Sequence, residues 1–305
     1  MVSSFLSLYI ASAMQPGIEN QAIDIEAIPT KTSVEMTNFD ISDLLNNNLK
    51  PIKKPQFVAP IINASSSISM DLNTGAVLYE KEAHQRRPLA SITKLMTILI
   101  ILDENKLEEE VIVSSNAANT EGSTMYLVAG ERITVENLLK GALIQSANDA
   151  AVALAEFNAG NVNSFIEKMN KKALDLGLIN THYENPTGLD QPNNYSSAYD
   201  IAKLAQHIYS YNFITQTAPI QNMEVKSVNG RLTHKLEATN ELLDSYLNIK
   251  GLKTGRTQAA GLCLVAVAEN ENKNQIISVV LNSPDRFKES KILLDWVFRA
   301  FNWPT

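Results

Sequence analysis

The sequence predicts an α/β domain of the α+β kind: one antiparallel sheet, its strands drawn from distant parts of the chain, with helices packed on it. Three observations predict it. Strand-like alternation appears early, in "SSISMDLNTGAVLYEKE", and the periodicity changes again to strand-like apolar runs after residue 248. Helical periodicity fills the stretch between. An amphipathic segment, "DRFKESKILLDWVFRAF", closes the chain.

Each element has a local reason. The early strands read as a hairpin around Asn73-Thr74-Gly75. From Ser91 to about Leu107 the pattern is helical and apolar all round, as in a central, buried helix. Thr134 with Asn137 and Leu138 opens another helix, and "NDAAVALAEFNA" gives one more after a break. "VNSFIEKMNKKALDLG" is a helix closed by Gly177 as C-cap. In "SSAYDIAKLAQHIYSY", Ser197 and Asp200 stand like a capping box with Asp in the Glu position. Beyond residue 248, "GLKTG", "AAGLCLVAVAEN" and "NQIISVVLNS" read as strands, the last two joined by a polar turn near Glu271-Asn272. Ser283-Pro284 suits the N-cap and first turn of the closing helix. Cys263 falls inside a strand and reads as a small buried apolar residue.

The totals narrow the function classes. The chain has 305 residues, ample for a buried core, and a formal charge of −7, which disfavours nucleic-acid binding. One cysteine excludes an intramolecular disulfide. The four scattered histidines and the lack of HExxH or CxxC give no metal site, and no GxSxG elbow is present. Residues 1–13 read as a possible signal peptide ending in Ala11-Ser12-Ala13, although no basic residue precedes the apolar run. Residues 14–57 read as a flexible polar extension, and the globular part begins near Val58.

Three short stretches can carry chemistry. In Ser91-Ile92-Thr93-Lys94 a lysine follows a serine by one helical turn, on the same face. A serine needs a base to become a nucleophile, and a lysine is a base only when burial or a nearby cation keeps it neutral. With 24 serines and 19 lysines, about one such spacing arises by chance, and a helix cap with a surface lysine is the plain alternative. Ser146-Ala147-Asn148, at a break between helices, can place a hydroxyl and an amide in one cleft, or simply cap a helix. Lys253-Thr254-Gly255 precedes a strand-like run. On an edge strand facing a cleft, Lys253 would be a second cation, Thr254 a hydroxyl, and Gly255 a point of close backbone approach. An ordinary turn with a solvated lysine is the alternative there.

Together and in this order the three stretches match the serine acyl-transferase set S-x-x-K, S-x-N, K-T-G. From about Val58 onward the sequence resembles the D-alanyl-D-alanine carboxypeptidases, the dacA-type low-molecular-mass penicillin-binding proteins of serine peptidase family S11. "DLNTGAVLYEKEAHQRRPLASITKLMT", "TEGSTMYLVAGERITVENLLKGALIQSANDAAVALAE", "NPTGLDQPNNYSSAYDIAKLA" and "GLKTGRTQAAGLCLVAVA" carry the resemblance. It implies a β-lactamase/DD-peptidase-like fold: a five-stranded antiparallel sheet flanked by helices, a mostly helical second lobe, and a catalytic domain over 58–305. It implies Ser91 as nucleophile, Lys94 as its base and Ser146 as proton shuttle. Asn148 would orient the substrate, and Lys253 and Thr254 would hold its carboxylate beside Gly255. The backbone N–H groups of Ser91 and Arg256 would form the oxyanion hole, and Arg286 would be a further carboxylate contact. No cofactor is implied. The substrate would be the peptidoglycan pentapeptide, with β-lactams as covalent mimics, and the protein would be exported to the periplasm or the outer face of the cytoplasmic membrane. Many relatives carry a C-terminal β domain and an amphipathic anchor; the chain stops at "FRAFNWPT", so this reading expects no C-terminal membrane anchor. A D,D-endopeptidase acting on cross-links uses the same residues. A β-lactamase is disfavoured because E-x-x-L-N occurs nowhere in the chain.

Overall fold

Continuous apolar runs on the long strands make both faces of the central sheet water-avoiding, so the sheet sits between two helical layers. In the computed structural model, residues 50–304 are described. The expected signal peptide lies outside them, as does most of the expected extension. The sheet holds β1 (Ser66–Asp71), β2 (Val77–Lys81), β3 (Ile249–Thr257), β4 (Gly261–Glu269) and β5 (Gln275–Ser283). The strand order is β3-β4-β5-β1-β2, antiparallel throughout. The hairpin β1–β2 therefore joins strands from the far end of the chain.

The helices are α1 (Lys94–Glu104), α2 (Ser115–Ala118), α3 (Val135–Lys140), α4 (Asn148–Ala159), α5 (Val162–Asp175), α6 (Ala198–Ile208), α7 (Asn212–Thr217) and α8 (Arg286–Ala300). On one face of the sheet, Ile68, Met70, Val265, Val267, Ile277 and Val279 share a core with α1 and α6. On the other, Leu264, Ala266, Ala268 and Val280 pack against Leu293, Leu294, Trp296 and Val297 of α8. Helix α1 is buried on every side from Lys94 to Ile101, as its sequence predicts. Thr134 caps α3 by accepting from Asn137 N–H at 3.3 Å, and Gly177 takes φ +66° just beyond α5.

Several local expectations are corrected. The segment from Ser91 opens as a 3-10 turn (Ala90–Thr93), and α1 stops at Glu104 because Asn105 turns extended and bonds Glu109. The capping box at α6 is half made. Ser197 accepts from Asp200 N–H, but the Asp200 carboxylate turns away to Asn180 N–H and Thr181 Oγ1, both at 2.8 Å. Asp285, not Ser283, caps the closing helix, accepting from Lys288 N–H at 3.0 Å; Ser283 ends β5 and bonds Glu289. The fold also begins before Val58: Ile52 and Lys53 pair with Asn302 and Phe301. Among the described residues no helix is long and apolar enough to cross a membrane.

Glu289 fastens the N-terminal approach to the last helix. It is buried and accepts from the N–H groups of Asn63 and Ala64 and from Ser283 Oγ. Replacing it by alanine strands those donors in a dry place. Glu289→Ala is expected to lower the unfolding free energy by roughly 2–4 kcal/mol, and Glu289→Gln by less, measured by chemical denaturation. A loss below about 1 kcal/mol for the alanine variant would contradict this account.

Candidate active site

Ser91, Lys94, Asn148 and Lys253 come from three distant parts of the sequence. The end of edge strand β3 meets the 3-10 turn before α1. A Cβ on Gly255 would stand 2.9 Å from Leu89 O and 3.2 Å from Ser91 N, so only glycine lets the strand lie against the serine's backbone. Gly188 presses from another side: at φ +87°, its added Cβ would be 1.8 Å from Ala90 O. Ala90 itself is left-handed, at φ +50°, and turns the chain into Ser91.

Lys94 is the hub. Its Nζ lies 2.9 Å from Ser91 Oγ, 2.6 Å from Asn148 Oδ1 and 2.7 Å from Thr187 O. The side chain is fully buried, which excludes a surface lysine beside a capping serine. The 3-10 turn that carries Ser91 has no side-chain cap bond either. Burial is the main reason the Lys94 pKa lies well below the ordinary lysine value; the Lys253 cation lowers it further, and Asp149 opposes both. The direction of each hydrogen bond follows. Asn148 Nδ2 donates to Glu121 O at 2.6 Å, so Oδ1 faces the lysine. A neutral amine has two N–H groups, and two pure acceptors, Asn148 Oδ1 and Thr187 O, take them. Its lone pair then faces the hydroxyl of Ser91.

Ser146 ends a π-helical turn, Gly141–Gln145, in the left-handed conformation at φ 64°. Such turns store strain and re-aim one residue. Here the turn continues α3 and lets α4 begin two residues later with Asn148. Ser146 is buried, and the turn packs against β3.

Lys253 is the second buried cation. Its Nζ donates to Thr254 O at 3.1 Å, and its pKa falls to about 7, first through burial and then through Arg286. Arg286 opens α8, donates to Gly255 O at 2.8 Å and rests on the Phe287 ring. It is thus tied to the same strand as Lys253. Thr254 Oγ1 meets Thr239 Oγ1 at 2.5 Å, whereas the Arg256 side chain is exposed. A groove of about 630 Å³ lined by Leu72, Asn73, Tyr209, Lys250 and Glu269 lies at the opposite end of the sheet and contains none of these residues.

Sequence reasoning missed the loop Asn185–Leu189. Asn185 Oδ1 accepts from Thr187 N–H, Thr187 Oγ1 and Gly188 N–H, and Thr97 Oγ1 donates to Pro186 O at 2.7 Å. That clamp holds Thr187 O against Lys94. The Asn-Pro-Thr-Gly run was the only available signal, and it marks a turn without showing which carbonyl faces a ligand.

The settings of the two lysines lead to measurable titrations. With ¹³C-labelled lysines, Lys94 and Lys253 are both expected to titrate well below an ordinary lysine, Lys253 at about 7. Arg286→Gln removes a cation and should raise the Lys253 titration above about 7. An unchanged Lys253 titration in that variant would refute the coupling.

The sequence profile of the peptidase S11 family, D-alanyl-D-alanine carboxypeptidase, matches residues 53–285. D-alanyl-D-alanine carboxypeptidase DacF of Bacillus subtilis is 38% identical over 246 residues, 78% of this chain and 63% of its own. DacA of Escherichia coli is 38% identical over 256 residues, 79% of this chain and 62% of its own. This chain therefore spans somewhat under two thirds of the length of these curated relatives. Among solved structures, the Streptomyces K15 DD-transpeptidase superposes with a TM-score of 0.75 at 31% identity, covering 79% of this chain and 99% of that one. Penicillin binding protein 5 of Haemophilus influenzae gives 0.73 at 36%, over 79% and 72%. From the pairing at Ile52–Lys53 to the cap of the last helix, the chain belongs to the D-alanyl-D-alanine carboxypeptidase family, peptidase S11.

Proposed function

We propose that the protein is a serine-type D-alanyl-D-alanine carboxypeptidase that removes the terminal D-alanine of peptidoglycan stem peptides through an ester on Ser91. One observation carries this reading: a fully buried amine, held below its ordinary pKa, lies 2.9 Å from the serine hydroxyl with its N–H groups already engaged.

The proposed steps run in order. Ser91 Oγ bonds to the carbonyl carbon of the penultimate D-alanine while its proton passes to Lys94 Nζ. The carbonyl oxygen becomes an anion. The N–H of Ser91 and that of Arg256, one residue beyond the Gly255 contact, are the groups assigned to receive it, each worth about 3 kcal/mol. The Lys94 ammonium then gives that proton to Ser146 as Ser146 hands its own to the leaving nitrogen; the C–N bond breaks, D-alanine departs, and Lys94 is neutral again. Water, giving up its proton to the same base, then cleaves the ester and restores Ser91. Lys253, with Arg286 behind it and Thr254 beside it, meets the terminal carboxylate. Asn148 Nδ2 has a second hydrogen free for a peptide carbonyl, since one already goes to Glu121 O. β-Lactams enter as mimics of the scissile bond and remain on Ser91. Peptidoglycan lies outside the cytoplasmic membrane, so this reading implies export to the periplasm or to the outer face of that membrane.

Ser91→Ala is expected to abolish both D-alanine release from a pentapeptide ending in D-Ala-D-Ala and covalent labelling by fluorescent penicillin. Lys94→Ala should slow acylation by a factor of about 100 or more with the fold retained by circular dichroism. Labelling that survives Ser91→Ala would remove the nucleophile from the proposal. A cross-linked muropeptide dimer beside the pentapeptide separates carboxypeptidase from endopeptidase: release from the pentapeptide alone is the expected result.

The pH profile has a definite sign. Acylation needs Lys94 neutral, so kcat/KM rises as that group loses its proton. Carboxylate recognition needs Lys253 charged, so kcat/KM for the free enzyme falls as pH rises through about 7. In Arg286→Gln that falling limb should move to higher pH even though overall binding weakens. A limb that stays in place would separate it from Lys253.

A further inference from the structure

The loop Glu121–Glu131 roofs Asn148. Glu121 O accepts from Asn148 Nδ2 at 2.6 Å and Ser123 O from Asn148 N–H at 2.6 Å. A Cβ on Gly122 would stand 2.6 Å from the same Nδ2. The roof thus sets the amide that accepts from Lys94. It is gripped at Met125 from two sides. The buried Asp149 carboxylate accepts from Met125 N–H at 3.1 Å and Leu127 N–H at 3.0 Å. His234 Nδ1 lies 2.8 Å from Met125 O, and His234 Nε2 lies 2.7 Å from Glu131 Oε1. Glu131 Oε2 in turn accepts from Val128 N–H at 3.2 Å.

His234 stands on the strand Thr233–Glu237, which pairs with Asn222–Lys226 in a hairpin separate from the main sheet. His234 and Glu131 are both buried. Met125 O is only an acceptor, so Nδ1 carries a hydrogen. The other nitrogen faces a carboxylate oxygen, and two lone pairs cannot face each other there without a proton between them. The pair therefore shares one proton and is neutral as a unit. Besides Glu131, the charged group facing this contact is Asp149, on the other side of Met125.

We propose that His234 and Glu131 are a proton-sharing latch that fixes the Glu121–Glu131 loop over Asn148, and through Asn148 positions Lys94 for proton transfer. Neither touches the reacting atoms; they are positioning residues. The acylation part of this inference rests on the function proposed above, whereas the latch itself concerns the loop alone.

The charge logic gives a test that mere space-filling does not. His234→Gln leaves Glu131 as a buried carboxylate without a cation. It should slow penicillin acylation roughly 10- to 100-fold and speed hydrogen exchange at the amides of Met125, Leu127 and Asn148. Adding Glu131→Gln removes that charge and lets two amides bond each other. The double variant should return to within about threefold of the parent in acylation, with exchange protection restored. A double variant as impaired as the single one, or a single variant unchanged in both readouts, overturns the latch. If the parent protein takes no penicillin, the function proposed above fails, and the exchange data alone decide the latch.

Discussion

The rest of the site is arranged around one buried amine. An ammonium in a dry interior costs several kcal/mol, and a lysine there either finds an anion or gives up its proton. Among the described residues Lys94 has no carboxylate in hydrogen-bond contact; its hydrogen-bond neighbours there are oxygens of Ser91, Asn148 and Thr187. Each arrives on a different piece of chain: a 3-10 turn, the start of α4, and the loop after α5. The apolar helix α1 cannot shift to relieve the amine, because it is packed on all sides from Lys94 to Ile101. Proton affinity at Nζ is therefore set by the core, and the serine inherits it.

A second constraint is backbone crowding around Ser91. Gly188 and Gly255 each let a segment approach where a methyl group would collide with Ala90 or Leu89. The 3-10 turn is held between them, with Ala90 strained at φ +50°. Crowding and strain together keep Ser91 in one place, so its hydroxyl does not have to be ordered at the moment of reaction. Gly122 does the same for Asn148 on the roof side. The site is thus rigid through backbone contacts more than through side-chain packing.

This explains what the sequence shows and what it conceals. Ser91, Lys94, Ser146, Asn148 and Lys253 are legible because side-chain chemistry needs particular residue types at particular spacings. The sheet is legible because β4 and β5 are short, continuous apolar runs bounded by turn residues, the pattern of strands buried on both faces. Glu121 O, Ser123 O and Thr187 O are not legible, since a carbonyl is common to every residue and only the fold selects which one faces the amine. The π turn before Ser146 read only as a break. The cap of α8 moved from Ser283 to Asp285 because Ser283 was needed as a strand end and a partner for Glu289. Asp200 left its capping box for Asn180 and Thr181 for the same reason: a tertiary partner displaced the local one. His234 gave no signal at all, because its partner lies 103 residues away.

In the proposed reaction two lysines take opposite tasks without any difference in residue type. Lys94 is fully buried and has a cation nearby, so its neutral form is favoured. Lys253 is also buried and also has a cation nearby, Arg286, and its pKa falls to about 7. A carboxylate ligand would favour the charged form of Lys253 most strongly, because that lysine and Arg286 lie on the strand side where the ligand's charge would rest. The same ligand charge would act on Lys94 from farther away. Binding would therefore raise the proton affinity of Lys253 more than that of Lys94, which suits the proposed roles of the first as the recognising lysine and the second as the base. In the proposed reaction, recognition and activation would be linked by electrostatics across the cleft, with no movement of the backbone needed to couple them.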